Sequence, residues 1–435
     1  MLQFRRITTQ KRFIPQIDGL RFVAIASVVF FHIYAALERG AVPTPIPFNT
    51  DLAKRGVELF FGISGFILGL PFASRYLLNA PVNLRQYFLR RLTRLEPPYF
   101  LSLFACAAMQ YVVSRRSLSD MTPHLLASSV YMHNLIFGAF PGAVNGVAWS
   151  LEVEVQFYVL VPLLALLFAI SATRVRRAVI VTLMLVSGLL SNKLYSSLHL
   201  HASIAYYLAF FLTGFLVCDL YITRGEWKKT FLWDVLAVGL WPLVWYMGRN
   251  FGHVALPFII VLLYLGAFRG RICSAVFSNR AITDIGGMCY SIYLFHFLVI
   301  YGVKHLTAPL HIGQNFWVYY AIQSAMILPV VMLFCGAFFL LIERPCMDRE
   351  WPRKFGRFSQ ALLLGLENSG YRFRCRLTCL PSQPRACFPD GSEFKAISIE
   401  IQPLSWQLSP DFEPNRRRSH SMCLQVDTDA RICLT

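Results

Sequence analysis

Long apolar stretches separated by short polar loops make up most of this chain. Ten of them approach the length of about 20 residues that a helix needs to cross a bilayer. They lie near residues 17–38, 57–74, 96–113, 147–170, 177–192, 203–222, 231–247, 252–268, 287–306 and 316–342. The pattern therefore predicts an all-α integral membrane protein, a polytopic bundle of about ten transmembrane helices.

The positions of arginine and lysine predict how this bundle is oriented. When the N-terminus is placed in the cytoplasm, the loops that fall inside hold more basic residues than the loops that fall outside. The basic start resembles a signal peptide, but the apolar stretch after it is too long for one and predicts an uncleaved helix. We expect a multi-pass protein of the inner or plasma membrane, in contact with the lipid bilayer, with both termini cytoplasmic.

Two regions do not follow this pattern. Residues 124–140 are moderately apolar, but a span there would invert every later loop and place basic loops outside, so an outer-side or re-entrant segment is expected. Residues 347–435 mix Pro, Ser, Arg and Cys without a sustained period, which is typical of disorder. The chain is therefore predicted to have a transmembrane domain over residues 1–346 and a disordered cytoplasmic tail over residues 347–435.

The composition agrees with a membrane protein and argues against other classes. Of 435 residues, 56% are hydrophobic and 15% are charged, and the mean hydropathy is +0.51. The net charge of +18 would suggest nucleic-acid binding in a soluble domain. Here the arginines lie between apolar helices, where topology accounts for them, so no nucleic-acid partner is expected. The eleven cysteines lack the paired spacing of a zinc site, and no metal is expected.

The first apolar stretch carries two ionisable side chains on one helix face. Arg21 and His32 are eleven residues apart, which brings them within about 20° of each other around the helix and about 16 Å along it. Ionisable residues inside a membrane helix are costly and indicate a functional site. The alternative is a histidine whose hydrogen bonds are satisfied by a neighbouring helix.

A cluster of arginines precedes the third apolar stretch on its predicted cytoplasmic side. Arg90 and Arg94 are four residues apart, and Arg91 is three residues from Arg94, so three guanidinium groups can approach one anion. Guanidinium groups bind phosphate oxygens bidentately, which lysine does not. The cluster predicts a site for a phosphate-bearing ligand, and the alternative is topological anchoring.

The fourth apolar stretch begins with two carboxylates that are expensive to bury. Glu152 and Glu154 point about 200° apart on a helix, which excludes a paired-carboxylate site. Glu154 shares its face with Ser150 and Tyr158 and is therefore predicted to face the interior. For Glu152 we expect solvation at the membrane interface.

Two further ionisable residues lie within apolar stretches. Glu58 is an acid near the predicted outer edge of the second stretch. His296 lies inside the ninth stretch like His32, but without an aligned arginine, so it is expected to pack between helices or to support the site from behind. Small residues near Glu58 are expected to allow close helix packing; they are Gly62, Ser64 and Gly65.

These motifs resemble those of the membrane-bound acyltransferase-3 family, whose members O-acylate cell-surface carbohydrates and small hydroxylated molecules. They follow the family's order over residues 14–346 and comprise Asp18-Gly19-Leu20-Arg21 with His32, Phe60-Phe61 through Ser64-Gly65-Phe66, Arg90-Arg91 and Arg94 to Pro97 and Tyr99, Trp149-Ser150-Leu151 with Glu154, Gln156-Phe157-Tyr158 and Pro162, Ser291 to His296, and Glu343-Arg344-Pro345. Glu58 departs conservatively, since the family often has Asp there.

The resemblance implies an O-acyltransferase that moves an acyl group from cytoplasmic acyl-coenzyme A to a carbohydrate or other hydroxylated acceptor approached from the outer side. Acetyl is the expected group, and no cofactor is expected to be bound permanently. Arg90, Arg91 and Arg94 are expected to hold the phosphates of the donor.

The catalytic group is expected to consist of His32, Arg21 and Glu154. His32 would act as general base or carry the acyl group briefly, and both routes stay open. Arg21 would stabilise negative charge, and Glu154 would orient the histidine or bind the acceptor. A supporting or substrate-binding position is expected for four further residues, Glu58, Ser150, Tyr158 and His296.

The main alternative function is a membrane transporter or exporter. Arginine, histidine and glutamate inside a bundle also form proton relays and substrate paths. The sequence has neither inverted repeats nor paired broken helices, which favours the enzyme.

Overall fold

The computed structural model describes residues 13–38, 54–197, 199–224, 227–247, 249–307, 315–348, 351, 373–377 and 397–401. Its helices are α1 Pro15–Glu38, α2 Arg55–Leu78, α3 Leu84–Val112, α4 Leu118–Ser129, α5 His133–Phe137, α6 Trp149–Leu164, α7 Thr173–Leu194, α8 Ile204–Thr223, α9 Phe231–Tyr246, α10 Arg249–Arg269, α11 Arg271–Phe277, α12 Arg280–Gly287, α13 Cys289–Thr307, α14 Phe316–Phe338 and α15 Arg344–Cys346. Short 3₁₀ turns cover Ala165–Ala169 and Leu200–Ala202, and a π-helical turn covers Phe339–Glu343.

The long helices confirm an all-α, multi-pass membrane protein. In the described part of the chain, seven helices are long and apolar enough to cross a membrane, and α12 with α13, bent by 69°, makes an eighth. Each of the ten predicted stretches coincides with a helix, but α3 and the 16-residue α9 do not meet both criteria. Length and composition thus support seven to eight spans rather than about ten.

The segment predicted not to cross the membrane is formed by two short helices. The helices α4 and α5 have 12 and 5 residues, fewer than a bilayer requires. The next loop is fastened to the end of α3, because the Gln110 side chain donates to the backbone oxygens of Ala143 and Val144. Because both helices are short, residues 124–140 add no span.

The helices α2 and α8 cross in close contact at two glycines. A Cβ on Gly65 would lie 2.0 Å from the Phe211 oxygen, and a Cβ on Gly214 would lie 2.1 Å from the Phe66 nitrogen. Any larger residue would push the two backbones apart. The expectation that Gly65 allows close packing is therefore confirmed.

A buried ion-pair cluster joins α7 to α8. Arg176 Nε donates to Asp219 Oδ1 over 2.5 Å, and Arg177 Nε donates to Asp219 Oδ2 over 2.6 Å. Arg176 and Asp219 are almost completely buried. Removal of the carboxylate would leave a buried guanidinium without its counter-ion, so this cluster contributes to the stability of the bundle.

Residues 350–435 form a second unit. Its described part is one antiparallel strand pair, β1 Phe373–Leu377 with β2 Ile397–Ile401, in which Phe373 is opposite Ile401. No regular element is predicted from the sequence over residues 347–435, and the tail boundary at residue 347 stays a prediction. The rest of the predicted tail after residue 351 lies outside the described residues.

Candidate active site

A cavity of about 1220 Å³ lies among α1, α2, α3, α6 and α13. Most of its wall is aliphatic and aromatic, and its polar and charged lining includes Arg21, Ser64, Arg75, Arg90, Arg91, Arg94, Ser150, Glu154, Tyr158 and Tyr293. Helices that are far apart in the sequence thus bring most of the predicted site residues to one place. The volume exceeds that of a typical small-molecule pocket of about 300–1,000 Å³.

The three clustered arginines are held in different ways. Arg91 donates from Nη1 to the backbone oxygen of Tyr87 over 2.8 Å, and its guanidinium lies 3.8 Å from the centre of the Tyr87 ring. Arg90 is exposed and donates to the Gln86 side chain. The Nε atoms of Arg91 and Arg94 are buried and have no hydrogen-bond partner within the described residues. Such donors are unusual in a folded protein and suit an anionic ligand.

Glu343 lies behind the cavity wall, next to Arg94, and no role is predicted for it from the sequence. Its side chain is completely buried, and Oε2 accepts hydrogen bonds from Ser291 N and Ser291 Oγ. Oε1 has no hydrogen-bond partner among the described residues and lies 3.7 Å from Arg94 Nη2. The carboxylate therefore holds one of the clustered arginines at the cavity wall. The available signal was an acid at the end of a long apolar stretch.

Glu154 lies where the polar groups of three helices meet. Its Oε1 accepts a hydrogen bond from Ser64 Oγ over 2.6 Å, and Tyr158 is a second hydrogen-bond partner. Arg21 and Arg91, which line the same cavity, are close enough to attract its negative charge. Glu154 thus faces the cavity, as its helix face predicts. Ser64, expected only to allow helix packing, also has a polar role in this wall.

Ser150 and Tyr293 form the next part of the wall. The Tyr293 hydroxyl donates to the Val147 oxygen over 2.6 Å, so it accepts the 2.6 Å hydrogen bond from Ser150 Oγ. The Tyr293 ring centre lies 5.9 Å from that of His296. Tyr293 therefore lines the cavity and also lies beside His296.

His32 and His296 form a contacting pair on α1 and α13. His32 Nδ1 lies 3.2 Å from His296 Nε2, and the ring centres are 4.8 Å apart. His296 is fully buried, and His32 is partly buried. Neither ring is among the described residues that line the cavity, whereas Arg21 lines it. Arg21 Nη1 donates to Asp18 Oδ1 over 2.6 Å. Of the predicted Arg21 and His32 face, only Arg21 is therefore among the described residues that line the cavity.

Two further acids are buried and are not among the described lining residues of the cavity. Glu152, expected at the solvated interface, is only 2% exposed and accepts a hydrogen bond from the backbone N–H of Asn134 over 2.8 Å. That expectation was wrong because α5 packs over this end of α6. Glu58 is buried in an ion pair with Arg55 at 2.7 Å and is not among the described lining residues.

A second histidine pair lies in the short helices α4 and α5. His124 Nδ1 is 3.0 Å from His133 Nε2. Burial lowers the pKa of His124, with Arg116 adding to the effect, and burial followed by the His124 charge lowers the pKa of His133. Within the described part of the chain, no group of three or more His, Cys, Asp or Glu residues has the arrangement of a metal site.

Comparison with known proteins identifies similar sequences. The family model described as "Acyltransferase domain", acyltransferase-3, matches residues 14–336. Peptidoglycan O-acetyltransferase OatA of Listeria monocytogenes is 26% identical over 168 residues, which are 36% of this chain and 25% of that protein. Protein YrhL of Bacillus subtilis, provisionally named a peptidoglycan O-acetyltransferase, is 27% identical over 200 residues, 43% of this chain and 30% of that protein.

A longer match covers a Staphylococcus aureus protein that is provisionally named an O-acetyltransferase. It is 22% identical over 335 residues, which are 66% of this chain and 51% of that protein. The chain therefore spans between a quarter and about half of the length of these relatives. No solved structure gives a significant match.

Proposed function

The chain belongs to the acyltransferase-3 family, and we propose that it transfers an acetyl group from cytoplasmic acetyl-coenzyme A to a hydroxyl of a cell-surface carbohydrate. Membership makes it a membrane O-acyltransferase, and the relatives' names indicate acetyl as the group. Because two relatives are named for peptidoglycan, that polymer is the first acceptor to test. The observation that carries the proposal is a cavity in which five arginines, Glu154 and Tyr293 meet.

The arginines support a donor that carries phosphate groups. Coenzyme A is such a molecule, and a guanidinium fork binds phosphate with two parallel hydrogen bonds. The unpartnered Nε donors of Arg91 and Arg94 are available to these oxygens. The apolar remainder of the wall suits the uncharged pantetheine arm, which would extend from the arginines toward Tyr293.

The chemistry requires a base, a group that orients the substrates, and a cation. His32 takes the proton from the acceptor hydroxyl as its oxygen attacks the thioester carbonyl. The new carbon–oxygen bond forms, the carbon–sulfur bond breaks, and the thiolate of coenzyme A leaves and receives a proton. Arg21 stabilises negative charge on the inner part of this path, and Glu154 orients the reacting groups. Transfer through an acyl group on His32 gives the same products.

The proposed orientation places both termini and the arginine cluster in the cytoplasm. His32 is eleven residues beyond Arg21 on α1, about 16 Å further along the helix. With Arg21 near the inner edge, the imidazole lies just past the middle of a hydrocarbon core of about 30 Å. This depth suits a base that meets a cytoplasmic donor and an acceptor from the outer side.

Label transfer by the purified full chain in lipid nanodiscs tests the proposal. Acetyl-coenzyme A with a labelled acetyl group is incubated with peptidoglycan fragments, and labelled fragments are measured. We expect transfer by the natural chain, none by His32→Ala, and normal transfer by a matched control, His199→Ala, because His199 is exposed. Full activity of His32→Ala would refute the role of the base. In proteoliposomes, substrate flux without label transfer would support the transporter instead.

A further inference from the structure

We propose that His296 is a positioning residue that fixes the proton of His32 on Nδ1 and so leaves Nε2 of His32 as the basic atom. The catalytic consequence rests on the proposed function, whereas the hydrogen-bond assignment does not. Residues of one helix, α13, thereby determine which nitrogen of an imidazole on another helix, α1, can accept a proton.

The first step is the proton of His296. Its Nδ1 lies 2.9 Å from the Ile292 oxygen and 2.9 Å from the Tyr293 oxygen. Carbonyl oxygens only accept hydrogen bonds, so Nδ1 of His296 carries a hydrogen. A second proton would place a charge on a fully buried ring, which is costly. Nε2 of His296 is therefore an acceptor.

The second step is the proton of His32. Its Nδ1 lies 2.8 Å from the Val28 oxygen and 3.2 Å from His296 Nε2. Both neighbours present lone pairs, so Nδ1 of His32 carries the hydrogen and shares it between them. In a neutral imidazole the other nitrogen then holds the lone pair. Nε2 of His32 is thus the atom that carries the lone pair.

The third step is the orientation of the His32 ring. The His296 ring meets it edge-on, with planes 68° apart. Phe297 meets it at 87°, with ring centres 5.8 Å apart. Both neighbours belong to α13, and His296 is itself fixed by two backbone oxygens of that helix. The pair therefore fixes both the proton and the direction of Nε2.

Two substitutions separate an acceptor role from a space-filling role. His296→Phe keeps a ring but removes the acceptor, whereas His296→Gln places an amide oxygen within reach of His32 Nδ1. Since Val28 still holds the His32 proton, the loss for His296→Phe is smaller than the about 10²–10⁴-fold that a general base contributes. We expect kcat to fall about ten-fold in His296→Phe, with KM for acetyl-coenzyme A unchanged, and to recover in His296→Gln.

The matched control for the loss of a buried imidazole is His253→Phe, because His253 is 4% exposed and does not line the cavity. We expect it to keep the natural kcat. Thermal melting of each variant shows whether it is folded. Equal activity of folded His296→Phe and His296→Gln would overturn the acceptor role, whether both are impaired or both are normal.

A chemical probe tests the assignment without acyl transfer. Diethyl pyrocarbonate acylates imidazole nitrogens that have a free lone pair, and peptide mass spectrometry identifies the modified histidine. In the natural chain we expect His32 to be modified and His296, whose lone pair is engaged, to be protected. Modification of His296 as fast as His32 would overturn the assignment. The predicted labelling in a chain that transfers no acetyl group would leave the assignment intact and refute the proposed function.

Discussion

Replacing Arg91 with lysine keeps the positive charge and removes the planar guanidinium group with its several N–H donors. Lysine has no counterpart to the buried Nε donor of Arg91, and its ammonium group does not stack as a guanidinium plane on the Tyr87 ring. If the donor's phosphate uses that nitrogen, Arg91→Lys weakens the binding of coenzyme A while leaving the net charge of the cavity unchanged. The variant thus tests the arrangement of hydrogen-bond donors at residue 91 while the charge stays constant.

The expected size of the effect follows from one lost hydrogen bond. A hydrogen bond to a charged group contributes about 1.5–3 kcal/mol. Since about 1.4 kcal/mol corresponds to a ten-fold change in Kd, we expect coenzyme A to bind about 10- to 100-fold more weakly to Arg91→Lys. Weaker packing of residue 91 on the Tyr87 ring changes the free energy by about 0.5–1 kcal/mol at most, because the Arg91 side chain is partly exposed.

Arg85→Lys is the matched control on the same helix. Arg85 is exposed and is not among the described lining residues of the cavity, so its replacement is expected to change Kd less than about two-fold. Isothermal titration calorimetry with coenzyme A in nanodiscs measures both variants without turnover. Equal weakening by the two substitutions would show that the cluster acts only as general positive charge, and an unchanged Kd for Arg91→Lys would remove Arg91 from the donor site.

Three further predictions concern other parts of the chain. Glu154→Gln keeps an acceptor for Ser64 but removes a negative charge near the donor, so label-transfer assays should give a kcat at least ten-fold lower with coenzyme A bound no more weakly. Asp219→Asn leaves buried Arg176 without its counter-ion and should cost about 3–5 kcal/mol in unfolding free energy, much more than Arg177→Ala, whose side chain is 26% exposed. The pKa values of His124 and His133 are lowered in the folded chain, so acidification below about pH 6.5 favours the unfolded form of their segment. Relative to residues 173–194, hydrogen exchange of residues 118–137 should therefore be faster at pH 5.5 than at pH 7.5. Equal relative rates at the two pH values would contradict this reasoning.

The helices and the cavity-facing residues could be predicted because they follow from local periodicity. A bilayer requires long apolar helices, so each apolar stretch of the sequence coincides with a helix in the structure. Helical spacing also placed Ser150, Glu154 and Tyr158 on one face, and all three line the cavity. Spacing within one helix, however, contains no information about which other helix covers that face.

The incorrect or missing assignments all depend on contacts between helices. Glu152 lies at a helix end where solvation is usual, and only the position of α5 buries it. The partners His32 and His296 are 264 residues apart in the sequence. No periodicity connects such residues, so the sequence alone could not show that the second histidine contacts the first, or that Glu343 holds Arg94.

Tyr293 connects several of these contacts, because it touches the loop before α6, the cavity and the histidine pair. Its hydroxyl is held by Val147 and Ser150, so the residue joins the loop before α6 to the cavity wall. Its ring lines the cavity that holds the arginines and lies beside His296 of the histidine pair. In the proposed reaction, a thioester whose phosphates bind the arginines would extend past Tyr293 toward His32. Because the loop and the cavity wall share Tyr293, changes in the loop that displace Val147 are expected to alter kcat more than donor binding.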